Sequence, residues 1–311
     1  MPIYLNSTKV GSNAYDVHSA LSTKLNKIKL NTTQVWTGRN LLKQLPYNFF
    51  AGAAVVYNGE IYIMGGVGNT TKFYKWNGSN WVSVGTLPYA FYGGAAVVYN
   101  NQIHIMGGNA GGNTTMYYHY KWNGSSWSSV STLPYKANGF GAVVYNNEIH
   151  ILGGNQTSTG RYHYKWNGSS WSSVSTLPFS YDFGGAIVFN NKIHLLGGDS
   201  YYKRHSAWNG SSWENLAELP YDYTRGGIVV YNNEIHILGA YNNMTKHYKW
   251  NGSSWSSVST LPYNFRQSNS VVWNSGLSEI VNLGTGDDSE SNKYQKYVSQ
   301  FDGSSWYTPS S

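Results

Sequence analysis

The chain has 311 residues, of which 11% are charged and 16% aromatic, with 35 glycines, so it can build a large core and is no disordered tail. It has no cysteine, which excludes disulfides and thiol chemistry, and it shows no apolar run of the length a transmembrane helix or a secretory signal core needs. The net charge of +7 is concentrated at one end: Lys9, Lys24, Lys27, Lys29, Arg39 and Lys43 against Asp16 give residues 1–45 a charge of +5, and the +2 left for the rest is too little for a nucleic-acid-binding stripe.

Residues 1–38 read as a separate β segment. The stretch 3–10 (Ile-Tyr-Leu-Asn-Ser-Thr-Lys-Val) predicts one hairpin and 27–36 another. From residue 39 the chain changes character. Six copies of a unit of about 44 residues follow, ruled off at Leu45-Pro46, Leu87-Pro88, Leu133-Pro134, Leu177-Pro178, Leu219-Pro220 and Leu261-Pro262. Eleven residues after each proline stands an aromatic: Tyr57, Tyr99, Tyr145, Phe189, Tyr231 and Trp273. The boundaries place the units at about 46–88, 88–134, 134–178, 178–220, 220–262 and 262–311. The last is short, and residues 34–45 are expected to touch it or lie beside it, where they could supply or extend an outer strand.

The second unit shows the internal plan. Residues 93–99 form a strand that begins with small residues. Asn100-Asn101 is a tight turn, 103–106 a second strand ending at Gly107-Gly108, and 117–122 a third. Asn123-Gly124 is another hairpin turn, and Trp127 to Leu133 is a fourth strand. Small residues fit a first strand at a crowded axis. Paired tryptophans such as Trp122 and Trp127 would fill the wider outer space, with Trp127, Trp171 and Trp255 expected to be mostly buried. The expectation is an all-β, six-bladed β-propeller with four antiparallel strands per blade over residues 39–311.

The motifs also carry a resemblance. A strand ending in Gly-Gly, then Tyr, then Trp seven residues later, stands at Gly65-Gly66…Tyr74…Trp81, Gly107-Gly108…Tyr120…Trp127 and Gly153-Gly154…Tyr164…Trp171. Units four to six keep Trp213, Trp255 and Trp306 with looser forms of the rest. This resembles the kelch repeat, which implies a propeller used for binding. The short N-terminal strands with Asn-x-Thr turns and Val-Trp resemble the β segments that open phage tail and baseplate proteins. That likeness implies attachment to other tail proteins and a virion location; cytoplasmic or secreted location is the alternative.

Antiparallel strands sort the loops onto two faces. The 1–2 and 3–4 hairpins repeat almost unchanged, whereas the 2–3 loops and the Leu-Pro connections differ from copy to copy. Four residues after each proline the column reads Phe50, Tyr92, Asn138, Asp182, Thr224, Arg266; one further on it reads Ala51, Gly93, Gly139, Phe183, Arg225, Gln267. The variable face is therefore the candidate binding surface. Phe50, Tyr92 and Phe183 are its candidate stacking platforms, with Asn138, Asp182, Arg161, Arg204, Arg225 and Arg266 as hydrogen-bonding partners. Such a set suits a cell-surface glycan, or a protein ligand on a kelch scaffold. A sialidase-like hydrolase using Arg161, Arg225 and Arg266 with Asp182 and Asp222 is the enzymatic alternative. No enzyme activity, cofactor, metal, nucleic acid or membrane insertion is expected. His104, His150, His194 and His236 recur at one place in the second strand of different blades and read as packing. The Asn-Gly-Ser triplets read as turns rather than glycosylation sites.

Overall fold

A computed structural model gives the structure. It describes the strands Ile3–Leu5, Thr8–Val10, Ile28–Leu30 and Gln34–Trp36, and residues 41–308 other than 69–70, 111–113, 155–159, 199–201, 268, 275–277 and 287–293. The chain divides into two units, Met1–Leu41 and Leu42–Ser311. In the first, Ile3–Leu5 pairs antiparallel with Thr8–Val10, and Ile28–Leu30 with Gln34–Trp36, so both hairpins read from the sequence form.

The second unit is a propeller of six four-stranded antiparallel blades, each built from consecutive strands. In the second blade the strands are Ala95–Tyr99, Gln102–Met106, His119–Trp122 and Trp127–Ser129, each starting or ending within two residues of the turns that bound it. The inner strands of the six blades are Ala53–Tyr57, Ala95–Tyr99, Gly141–Tyr145, Gly185–Phe189, Gly227–Tyr231 and Asn269–Asn274. Each packs on the inner strands of its two neighbours, blade six on blade one included. Their opening Ala and Gly residues are what that convergence requires. The Asn-Asn turns that follow hold both asparagines at positive φ, as at Asn100 (46°) and Asn101 (55°), the conformation of a type I′ hairpin turn.

The core lies between blades and not within them. The fully buried second-strand Ile and Leu residues pack with aromatics of the adjoining blade, as Ile103 and Ile105 do with Tyr57 and Phe73. The tryptophans divide the work unequally. Trp76, Trp122, Trp166, Trp208 and Trp250, at the end of the third strand in blades one to five, are buried, as is Phe301 in blade six. Trp127, Trp171 and Trp255 are only half-buried, against expectation. They lie on the outermost strand, just three residues long, where the indole meets its partner at a tilt (Trp166–Trp171 centroids 5.5 Å apart, planes at 48°) and leaves part of its surface to solvent.

At ring closure the chain entering blade one touches blade six, as expected, through residues 42–45. Among the described residues, 42–45 lie beside blade six without adding a strand to its sheet, whose outer strand is Trp306–Tyr307. Instead, Leu45 N–H donates to the Lys296 carbonyl of blade six at 3.0 Å. Each other Leu-Pro leucine makes the same bond to the blade before it, as Leu133 does with Tyr117 and Leu261 with Thr245. The chain entering blade one thus occupies the place of a chain leaving blade six. Leu42 and Leu45 are buried among Val281, Leu283 and Val298 of blade six and Phe49, Ile63 and Trp76 of blade one. Leu42 N–H donates to Gln300 Oε1 (2.8 Å), whose Nε2 in turn donates to buried Glu279 (2.6 Å).

Candidate ligand-binding site on the propeller axis

The blade connections meet at the axis in a closed belt of backbone hydrogen bonds. Its six members are the residues five places after each Leu-Pro proline. Gly93 N–H donates to the Ala51 carbonyl (2.7 Å), Gly139 to Gly93 (2.8 Å), Phe183 to Gly139 (2.6 Å), Arg225 to Phe183 (2.7 Å) and Gln267 to Arg225 (2.6 Å). Ala51 N–H donates to the Gln267 carbonyl (2.6 Å) and completes the circle. All six residues have φ between +46° and +70°. That region is open to glycine but costs another residue about 1–2 kcal/mol, and four of the six are not glycine.

The belt is lopsided. Blades one to three contribute Ala51, Gly93 and Gly139, and blades four to six contribute Phe183, Arg225 and Gln267. The glycines are needed where they stand: a Cβ on Gly93 would collide with Asn138 Oδ1, and one on Gly139 would lie 2.8 Å from the Phe183 ring. Phe183 therefore lies across Gly139, and the Arg225 guanidinium sits 3.8 Å from the Phe183 ring centroid, a cation–π stack. The outcome is an axial cavity of about 160 Å³ to which all six blades contribute. Phe140 and Phe183 give it an apolar side; Arg225, Gln267 and Asn269 give it a polar one.

Of the nine candidate residues, Phe183 and Arg225 line this cavity. Phe50, Tyr92, Asn138, Asp182 and Arg266 each precede a belt residue and form the ring next to it. Phe50, Tyr92 and Asp182 are half-buried, Asn138 and Arg266 buried. Backbone bonds stitch this ring to the start of the 2–3 loop in blades one, two, three and five, as Val67 N–H to Phe50 O (2.9 Å) and Asn109 N–H to Tyr92 O (2.8 Å). The Arg266 guanidinium lies 4.8 Å from the Tyr241 ring centroid. Arg161 and Arg204 are not part of the cavity. Both are exposed, and Arg161 Nε donates to the Leu177 carbonyl (2.6 Å), tying its loop to the next blade connection. Of Arg161, Arg225 and Arg266, Arg225 alone lines this cavity. Much of the 2–3 loops, at 111–113, 155–159, 200–201 and 287–293, falls outside the described residues.

Three lining side chains were not among the candidates: Gln267, which stands in the variable column, and Phe140 and Asn269, which do not. The signal of the last two was present as exceptions to a column: Phe140 stands where blades one, two, four and five have Gly52, Gly94, Gly184 and Gly226, and Asn269 where the others begin the inner strand with Ala or Gly.

The histidines form pairs. His104 Nδ1 lies 2.8 Å from His119 Nε2, and the same contact joins His150 to His163, His194 to His205 and His236 to His247 at 2.8–2.9 Å. Each pair is buried between strands two and three of its blade. The third-strand ring also meets the next blade, His119 lying 5.5 Å from Trp166 and 5.7 Å from Trp171. Burial pushes the second-strand imidazoles down to about 4. Burial, followed by the partner imidazole, pushes the third-strand ones down to about 3. Blade one fills the same slot with Tyr62 and Phe73, blade six with Val281 and Val298, so the pairs are packing units. Among the described residues no three His, Asp, Glu or Cys side chains gather in a metal-binding group.

A scan against family profiles and a sequence search of curated proteins each return no match. Solved structures do match. One titled "Structure of YjhT" superposes with a TM-score of 0.74 over 86% of this chain and 99% of that one, at 15% identity. At that identity the likeness speaks for the fold: the unit Leu42–Ser311 forms a six-bladed β-propeller similar in fold to YjhT, and its repeated Gly-Gly, Tyr and Trp motif resembles the kelch repeat.

Proposed function

We propose that the protein is a non-enzymatic binding propeller that recognises a cell-surface glycan at its axial cavity. The observation that carries this reading is the strained half of the belt. Phe183, Arg225 and Gln267 adopt a conformation that glycine would take at lower cost, and glycine does take it at two equivalent places. Strain of this kind collects at functional sites. An apolar plate facing Arg, Gln and Asn also suits a sugar, whose C–H face stacks while its hydroxyls are hydrogen-bonded. Attachment to a virion tail through residues 1–38 extends the proposal and rests on the sequence likeness alone.

A protein ligand is the second reading. Tyr117, Tyr162, Tyr202, Tyr241 and Tyr297 are all exposed in or beside the variable loops, and tyrosine is a frequent anchor of protein interfaces. A glycan array probed with the purified protein decides between the two. Binding is expected to be lost in a Phe183→Ala/Arg225→Ala variant with an intact melt and kept in Asn123→Asp and Asn167→Asp on the hairpin face. The reverse pattern would place the site on the wrong face, and release of sugar from the array would make the protein an enzyme.

A further inference from the structure

The 3–4 hairpin turns carry chemistry that ligand binding does not use. Asn77, Asn123, Asn167, Asn209 and Asn251 each precede a glycine, and all five are exposed. The glycine is dictated by the turn, since φ there runs from +95° to +104°. Each asparagine Oδ1 accepts three hydrogen bonds. At Asn123 the donors are Ser125 N–H (2.9 Å), Ser125 Oγ–H (2.9 Å) and Ser126 N–H (2.9 Å). Asn167, Asn209 and Asn251 repeat these contacts, and Asn77 has them at 2.8–3.2 Å. Among the described residues nothing accepts from the N–H of Gly124, Gly168, Gly210 or Gly252.

We infer that these five turns are sites of spontaneous deamidation, which converts the hairpin face into a ring of carboxylates. The glycine nitrogen attacks Asn Cγ and forms the N–Cγ bond of a succinimide. The Cγ–Nδ2 bond breaks, and ammonia leaves with the proton from the glycine amide. Water then adds to either imide carbonyl, giving aspartate or its isomer with the chain routed through the side-chain carboxyl. The three donors on Oδ1 hold the carboxamide over the turn and stabilise the charge that oxygen takes up during the attack. Glycine offers no side chain to obstruct it.

Blade six already displays the product. Its turn is Asp302-Gly303, and Asp302 Oδ1 accepts the same three bonds from Ser304 N–H (2.8 Å), Ser304 Oγ–H (2.7 Å) and Ser305 N–H (2.8 Å). The aspartate form therefore fits the fold. The chain also supplies an internal contrast in Asn138-Gly139, where the asparagine is buried and Gly139 N–H is committed to the belt. Asn58-Gly59 shares the dipeptide without the clamp, and the inference does not extend to it. Conversion of all five turns would take the formal charge from +7 to +2 with no change at the axial cavity.

The test is to incubate the purified full-length protein at mildly alkaline pH beside a denatured sample, with peptide mass mapping over time. The expected result is loss of the amide at the five turns in the folded protein, a matching shift toward acidic migration, and retention of Asn138 until the chain is denatured. An Asn123→Asp variant should fold, melt like the parent and lose only its own step in the charge ladder. Persistence of the five amides while the denatured sample loses them would show that the clamp protects and would overturn the inference. Conversion of Asn138 in step with the turns would also overturn it, by tracing the reaction to unfolded chain.

Discussion

At the scale of single residues, the paired imidazoles set how the protein meets acid. Eight of its nine histidines are held neutral in the fold, with affinities for protons pushed from 6.5 to about 4 or 3. An unfolded chain binds those protons more readily, so stability is complete above about pH 6.5 and falls as the pH drops toward 4. Thermal melts across this range should show that loss. Replacing His236 and His247 with the Val pair that blade six uses should flatten the slope; an unaltered slope would mean the pairs are not its source. The second-strand column was legible as packing. The partner was not, although His119, His163, His205 and His247 occur in just those blades with a second-strand His, and the slot switches to Tyr–Phe or Val–Val as a unit. That joint variation was the readable sign, hidden because strand register decides which columns touch. Tryptophans make a second prediction at this scale. Trp166→Ala should cost about 3–5 kcal/mol, and half-buried Trp171→Ala about half as much. Equal costs by chemical denaturation would show that the outer indoles carry as much packing as the inner ones.

At the scale of elements, the repeat was read almost whole. Small residues, Asn-Asn turns and Gly-Gly ends impose the inner hairpin locally, and the Asn-Gly turn with its Ser donors imposes the outer one. Edge strands were overestimated. The fourth strand of blade two was read from Trp127 toward Leu133 but pairs only as far as Ser129. Beyond Ser129 the segment keeps only spaced bonds to the third strand's side, Val130 N–H to the His119 carbonyl (2.8 Å) and Leu133 N–H to that of Tyr117 (2.8 Å), and no continuous ladder. The Leu-Pro motif served as a ruler in the sequence; in the structure it is a clasp, each leucine donating to the preceding blade. Closure of the ring depends on the first clasp, which belongs to no complete preceding unit. Leu45→Ala should therefore cost about 2–5 kcal/mol, as removal of a buried leucine side chain does. Limited proteolysis of that variant should cut first in blades one and six. Cleavage that begins in blades three and four would contradict a closure held by Leu42 and Leu45.

At the scale of the whole molecule, six near-copies make a ring whose two faces have different tasks. One face keeps turns whose hydrogen bonds recur blade after blade. The other gathers its differences onto the axis, where any change in one blade is brought against the other five. Contrast among the copies revealed that face in the sequence. It could not show the belt, because backbone bonds between blades leave no mark on residue type except glycine. Nor could it separate Phe183 and Arg225, which line the cavity, from Arg161 and Arg204, which vary for reasons of loop structure. The central claim is that the belt accepts backbone strain in order to place side chains in the cavity. The most direct measurement pairs thermal stability with ligand binding in Arg225→Gly and Gln267→Gly. The account predicts that both variants melt at or above the parent temperature, the relief of left-handed strain being about 1 kcal/mol each, and that both lose binding. Full binding in the glycine variants, or a marked fall in their melting temperature, would contradict it.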